Sequence, residues 1–217
     1  MKKGCLFDLD GTLVDSLLDL ANAVNNVLTK HHLPVHETQL YNHYVGNGVK
    51  KLVERALGEY DNSLLNECLK DFYTYYDEHC LDYTDAYIGM KELIHDLKAE
   101  GYLLGVVTNK PHHLAIRIVE TLFPDMFEVV LGQQDLYPTK PSPESTHLAL
   151  MTMKLGKDEC VFIGDSNVDI QTAINVDMDS IGVCWGFRTR EELENSGATY
   201  IVTMPSEIKE LLDENRC

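Results

Sequence analysis

Four short clusters in the 217-residue chain combine residue types that can do chemistry together. In Phe7-Asp8-Leu9-Asp10-Gly11-Thr12, two carboxylates stand two positions apart behind an apolar run. The two-residue period of a strand puts Asp8 and Asp10 on one side. Gly11 then permits a sharp turn that lets backbone N–H groups approach a bound anion. Two carboxylates aimed together repel unless one is protonated or a cation lies between them. Alone, this motif reads equally well as a strand followed by an Asp/Gly turn. The other clusters are Val106-Val107-Thr108-Asn109, Lys140-Pro141-Ser142-Pro143 and Gly164-Asp165-Ser166-Asn167-Val168-Asp169. They offer a hydroxyl and an amide, an ammonium, and two further acids.

The elements that must position these residues are read from periodicity. Short apolar runs at 4–9, 102–108, 127–131, 160–164, 179–185 and 199–202 are nearly continuous in Leu, Val, Ile and Phe. Such runs are expected of parallel strands covered on both faces. The stretches 89–99, 112–122, 143–155 and 169–176 are long enough to be crossover helices. The fold class expected is α/β: a doubly wound, Rossmann-like parallel sheet of about six strands. In such a sheet ligands bind at the carboxyl ends of the strands. All four clusters fall there or in the loops just beyond, so they converge on one edge.

Residues 15–85 differ in kind, with helical periodicity and no convincing strand. Leu17, Leu20, Ala21, Val24 and Leu28 mark one helix face, and Leu64, Leu65, Cys68, Leu69 and Phe72 another. The expected organisation is a catalytic core of residues 1–14 and 86–217 with a helical cap, 15–85, inserted after the first strand. Its tethers near 14–16 and 83–87 would act as hinges.

With these four motifs and the cap insertion, the chain resembles the haloacid dehalogenase-like hydrolase superfamily over essentially its whole length. The resemblance implies phosphoryl transfer to Asp8, with Asp10 as acid and then base. It also implies Mg²⁺ held by Asp8, the Asp10 carbonyl and Asp165, with Asp169 behind the metal, and Thr108 and Lys140 steadying the phosphate. Charge supports these roles. Four carboxylates, one of them protonated as a general acid must be, are balanced by one Mg²⁺ and Lys140. Hard oxygen donors select Mg²⁺ over softer metals. Gly11, Thr12 and Asn109 are the expected phosphate contacts.

In the cap, Val45-Gly46-Asn47-Gly48-Val49-Lys50-Lys51 opens a helix. It is not a dinucleotide fingerprint, because the third glycine is replaced by Lys51 and no strand precedes it. Free N–H groups at such a helix start suit an anion. A plain turn with solvated lysines is the competing reading. The stretch is similar to the cap of phosphoglycolate phosphatases, which implies a small phosphorylated carboxylic acid contacting Gly46, Asn47, Gly48 and Lys51. Rival enzymes on the same core are a phosphosugar mutase, a pyrophosphatase and a broad sugar or nucleotide phosphatase. A dehalogenase would need neither Asp10 nor Mg²⁺, and a non-catalytic binding module would not need to keep all four motifs.

The net charge of −17, from 35 acidic and 18 basic residues, opposes a polyanion, so nucleic acid is not expected as a partner. No apolar run is long enough to span a bilayer. Met1-Lys2-Lys3 leads directly into a strand without a cleavage signature, which makes the cytoplasm the expected location. The six cysteines, Cys5, Cys68, Cys80, Cys160, Cys184 and Cys217, form no CxxC pair and read as reduced thiols. The pairs His31-His32 and His112-His113 lack metal spacing and read as surface residues. Trp185, Phe187, Tyr73, Tyr75 and Tyr76 are read as packing, with Arg188 near the cleft rim.

Overall fold

The computed structural model describes residues 2–214; Met1 and Cys217 lie outside them. β1 (Gly4–Phe7) is followed by a two-residue strand, β2 (Val14–Asp15). The helices α1 (Leu17–Lys30), α2 (Val49–Leu57) and α3 (Asn62–His79) come next, and β3 (Asp85–Ala86) returns the chain. Then follow α4 (Met90–Ala99), β4 (Leu103–Pro111), α5 (His112–Leu122), β5 (Val129–Gln133), α6 (Glu144–Met153), β6 (Cys160–Gly164), α7 (Asn167–Val176), β7 (Asp179–Val183), α8 (Arg190–Asn195), β8 (Tyr200–Val202) and α9 (Ser206–Glu214).

Six of the strands form a parallel sheet in the order β5-β4-β1-β6-β7-β8. β1 is central, and the chain leaves it first toward β4 and later toward β6. That reversal opens a crevice at its carboxyl end. Alternation along β1 feeds two cores. Cys5 and Phe7 join a cluster with α4 and α5, while Leu6 joins Val107, Phe162, Ala149 and Ala173 beneath α6 and α7. Burial on both faces explains why these strands read as continuous apolar runs.

β2 and β3 pair antiparallel, Val14 with Ala86 and Asp15 with Asp85, and carry the chain into and out of the helical insertion. Two-residue strands are too short to leave a periodic signal, so the sequence reading placed tethers there without a sheet. Asp19 on α1 fastens the exit. Its carboxylate is buried and accepts the N–H groups of Tyr83 and Thr84 and the Thr84 hydroxyl. Leu20, Val24, Phe72 and Tyr76 of the insertion belong to the same hydrophobic cluster as Phe7, Leu9 and Leu13, so the insertion packs directly onto the strand ends.

Cys5, Cys68, Cys80 and Cys160 are buried free thiols and Cys184 is partly exposed and free. Burial pushes the Cys160 thiol up to about 12 despite Lys2 nearby, as expected of an inert core cysteine. No helix among the described residues is long and apolar enough to cross a membrane.

Candidate active site

Asp8 stands one residue beyond β1, where its N–H still donates to the Ile163 carbonyl at 2.9 Å and continues the parallel ladder. Its Oδ1 accepts the Leu9 N–H at 2.7 Å and faces Lys140 Nζ at 3.0 Å. Lys140 also pairs with Asp169 Oδ1 at 2.7 Å, and both side chains are almost wholly buried. The other Asp169 oxygen accepts the N–H and hydroxyl of Ser166, closing a capping box on α7. Asp169 is thus committed to holding Lys140 and the start of its own helix. Burial would strip the Lys140 proton, but Asp169 and Asp8 together hold its ammonium above the ordinary lysine range.

One lysine among these acids is too little. Burial pushes the Asp8 carboxyl up to about 7, and Asp169 adds to the shift. Lys140 and the hydrogen-bonded Thr108 hydroxyl oppose it. Asp165, at the end of β6, is raised well above the carboxylate range by burial, then by Asp169 and Asp8, against the pull of the Phe187 N–H on its Oδ2 at 2.7 Å. Carboxylate oxygens of Asp8, Asp165 and Asp169 lie within 4.8 Å of one another. Buried, hard, oxygen-only and short of positive charge, this donor set fits a divalent cation such as Mg²⁺.

Two glycines make room for that group. Gly11 has φ +84°, and a Cβ there would sit 2.4 Å from Asp165 Oδ2. At Gly186 a Cβ would meet Asp165 Cβ and the Gly11 carbonyl, each at 2.3 Å. The Gly11 N–H donates to the Val14 carbonyl at 2.9 Å, so this residue serves the site by its slimness rather than by offering an N–H to an anion.

Asp10 points elsewhere. Its Oδ1 accepts the Ser16 hydroxyl at 2.5 Å and Lys110 Nζ at 2.8 Å. Ser16 occupies the N-cap position of α1 but makes no side-chain cap bond there. Lys110 is buried and also donates to the Tyr76 hydroxyl at 2.7 Å, with its ammonium 4.8 Å from the Tyr76 ring centre. Burial alone would lower the Lys110 pKa; Asp10 and Tyr76 turn the shift upward. Neither Ser16 nor Lys110 was found by sequence reasoning, and Tyr76 was read as packing alone. The available signal was Lys110 two residues after Thr108 in a site short of cations.

A β-bulge explains how three consecutive residues serve one place. Between Val107 and Pro111 the register of β4 against β5 shifts, with Val107 opposite Leu131 and Pro111 opposite Gln133. In a regular strand Asn109 would face away from Thr108 and Lys110; the bulge re-aims it. Asn109 then holds the Lys140 backbone from both sides: its Oδ1 accepts the N–H and its Nδ2 donates to the carbonyl. The same Nδ2 reaches the Gly46 carbonyl at 3.0 Å. This side chain is spent on joining three loops rather than left for a phosphate.

A cavity with about 430 Å³ of empty space, its mouth included, lies between these strand ends and the insertion. Asp8, Asp10, Thr108 and Lys110 form its floor, with Leu20, Val49, Leu52 and Tyr76 opposite, and Gly46 and Gly48 also line it. Other expected contacts lie outside it. Lys51 is exposed and paired with Glu54 at 2.6 Å, Asn47 accepts Arg55 at 2.8 Å, and the Thr12 hydroxyl faces Asp165 at 3.5 Å. Arg188 holds the loop before Gly46 through the carbonyls of Asn42 and Val45. The Trp185 indole donates to the Thr12 carbonyl at 3.0 Å.

This fold matches a known class. The chain belongs to the haloacid dehalogenase-like hydrolases, whose family model matches residues 5–183. Among its relatives, phosphoglycolate phosphatase of Colwellia psychrerythraea is 36% identical over 204 residues, covering 90% of each chain. That of Psychrobacter arcticus is 32% identical over 207 residues, covering 91% of this chain and 90% of the other. The crystal structure of a proposed phosphoglycolate phosphatase from Lactobacillus delbrueckii subsp. bulgaricus superposes with a TM-score of 0.93 at 34% identity, covering 97% of this chain and 98% of that one. Within the family, the chain is a phosphatase that resembles the phosphoglycolate phosphatases.

Proposed function

We propose that the chain hydrolyses the phosphate monoester of a small carboxylic acid, 2-phosphoglycolate foremost, through an aspartyl phosphate on Asp8 and with Mg²⁺. The observation that carries this reading is the floor of the cavity. Asp8, held by Lys140 and Thr108, and Asp10, held by Ser16 and Lys110, face one small space closed by the insertion.

Asp8 attacks phosphorus, the bond to the ester oxygen breaks, and Asp10 gives that oxygen a proton. Both partners of Asp10 use Oδ1, which leaves Oδ2 to carry the proton. Asp10 next takes a proton from the water that cleaves the aspartyl phosphate, releasing inorganic phosphate. Lys140 and Thr108 keep Asp8 oriented and oppose the charge that collects on the phosphoryl oxygens. Asp8, Asp165 and the Asp10 carbonyl would hold Mg²⁺, with Asp169 behind them, and the ion would neutralise charge on the phosphoryl group. Gly46 and Gly48 bring the insertion close, and its apolar wall excludes water.

The walls of the cavity favour a small substrate. A sugar bisphosphate in a mutase needs cations for a second phosphate, and the wall opposite Asp8 carries Leu20, Val49 and Leu52 instead. The test is a screen of phosphorylated metabolites with Mg²⁺, comparing kcat/KM for 2-phosphoglycolate with sugar phosphates and pyrophosphate. The expected result is a preference for 2-phosphoglycolate of at least about tenfold; a higher kcat/KM for sugar phosphates would overturn the reading.

A further inference from the structure

We infer that Lys110 is the specificity-determining residue of this site, binding a carboxylate on the carbon that bears the phosphate ester oxygen. The inference rests on the proposed function and names the group that performs the recognition. Among the described residues lining the cavity, Lys110 alone is cationic, because Lys140 is turned beneath Asp8 and Lys51 lies outside. An ammonium has three donors. Among the described residues, Lys110 uses one on Asp10 Oδ1 and one on the Tyr76 hydroxyl, at 2.8 and 2.7 Å, so the third has no protein acceptor.

The position selects the kind of acid. Asp10 protonates the ester oxygen, and Lys110 touches Asp10, so the ammonium stands beside the leaving group rather than beside phosphorus. A carboxylate one carbon from the ester oxygen, as in the phosphate of an α-hydroxy acid, reaches that ammonium. Longer acids would drive their charge into Leu20, Val49 and Leu52. Tyr76 fixes the lysine from the insertion side. It is wholly buried, its hydroxyl takes one donor and its ring faces the charge. A buried ammonium hydrogen-bonding a substrate group discriminates strongly, because an analogue lacking that group leaves the donor unpaired.

A different role, in which Lys110 only holds Asp10, makes another prediction. The experiment compares kcat/KM for 2-phosphoglycolate with that for 2-hydroxyethyl phosphate. Both have the same two-carbon body, and only the first carries a carboxylate. In the wild-type enzyme the ratio should be about 100 or more, and in Lys110→Met it should fall by roughly 30- to 100-fold. Loss of Asp10 positioning lowers both rates equally and cancels in the ratio. A high wild-type ratio that Lys110→Met leaves unchanged overturns the assignment while sparing the proposed function. A wild-type ratio near one overturns both. If Lys110→Met does not fold, as judged by circular dichroism, Lys110→Gln keeps donors for Asp10 and Tyr76 without the charge, and its ratio decides the question by the same criterion.

Discussion

Asp10 receives Ser16 and Lys110 on one oxygen, and that asymmetry separates it from Asp8, whose partners are Lys140, Thr108 and a backbone N–H. Two carboxylates two positions apart in sequence thereby acquire different surroundings, as the proposed division of roles between them requires. Asp8→Asn should abolish turnover, since an amide does not form the acyl phosphate; steady-state hydrolysis above background would refute the covalent route. Gly11→Ala tests the close approach to Asp165. The added Cβ would lie 2.4 Å from a carboxylate oxygen at a positive φ. Activity is expected to fall at least about 100-fold, with a weaker response to Mg²⁺ in thermal melts, because Asp165 must move. A Gly11→Ala enzyme with normal Mg²⁺ affinity would contradict this account.

At the scale of elements, the bulge in β4 and the loop before α2 do the positioning. The types at Thr108 and Asn109 were legible in the sequence, and so was their place at a strand end. Where their side chains point was not, because the two-residue period fails across a bulge. Asn109 was read as a phosphate contact, but its amide nitrogen donates to the Lys140 and Gly46 carbonyls instead. Lys51 was read as part of the anion site, but Glu54 is one helical turn away and takes its charge. The loop 42–47 is held by two guanidinium groups, Arg188 from the strand side and Arg55 from α2. Arg188→Ala removes charged donors from the Asn42 and Val45 carbonyls, and the expected cost is about 1.5–3 kcal/mol. Because that loop carries Gly46 to the cavity, KM should rise several-fold while kcat changes less; a selective loss of kcat would point instead to a role at the reacting group.

For the whole molecule, the relevant quantity is charge. Asp8, Asp165 and Asp169 face one buried lysine, Lys140, leaving a deficit that one divalent cation matches, while Asp10 is paired apart from them with Lys110. Without the ion, the folded protein keeps protons on Asp8, raised to about 7, and on Asp165, raised in the same direction, that the unfolded chain has already released. Stability of the metal-free protein should therefore fall as pH rises from the ordinary carboxylate range through about 7. Mg²⁺ takes the place of those protons, so it should raise the melting temperature more at pH 8 than at pH 5. At a hundredfold excess over its dissociation constant an ion adds about 2.7 kcal/mol, roughly 5–10 °C for a chain of this size. An equal gain at both pH values would count against the acidic group as the metal site.

The sequence by itself determined the layers, the helical stretch after the first strand and the four clusters on one sheet edge, whereas the central place of β1 came from the tertiary structure. Burial on both faces writes continuous apolar runs, and a parallel sheet sends its carboxyl ends to one side. Only the tertiary structure decided the partners of the acids and which part of the insertion meets them. Lys110 with Asp10 spans 100 positions, and Lys110 with Tyr76 spans 34. Such pairs are fixed by a bulge and by the packing of α3 over the strand ends, and neither leaves a periodic trace along the chain.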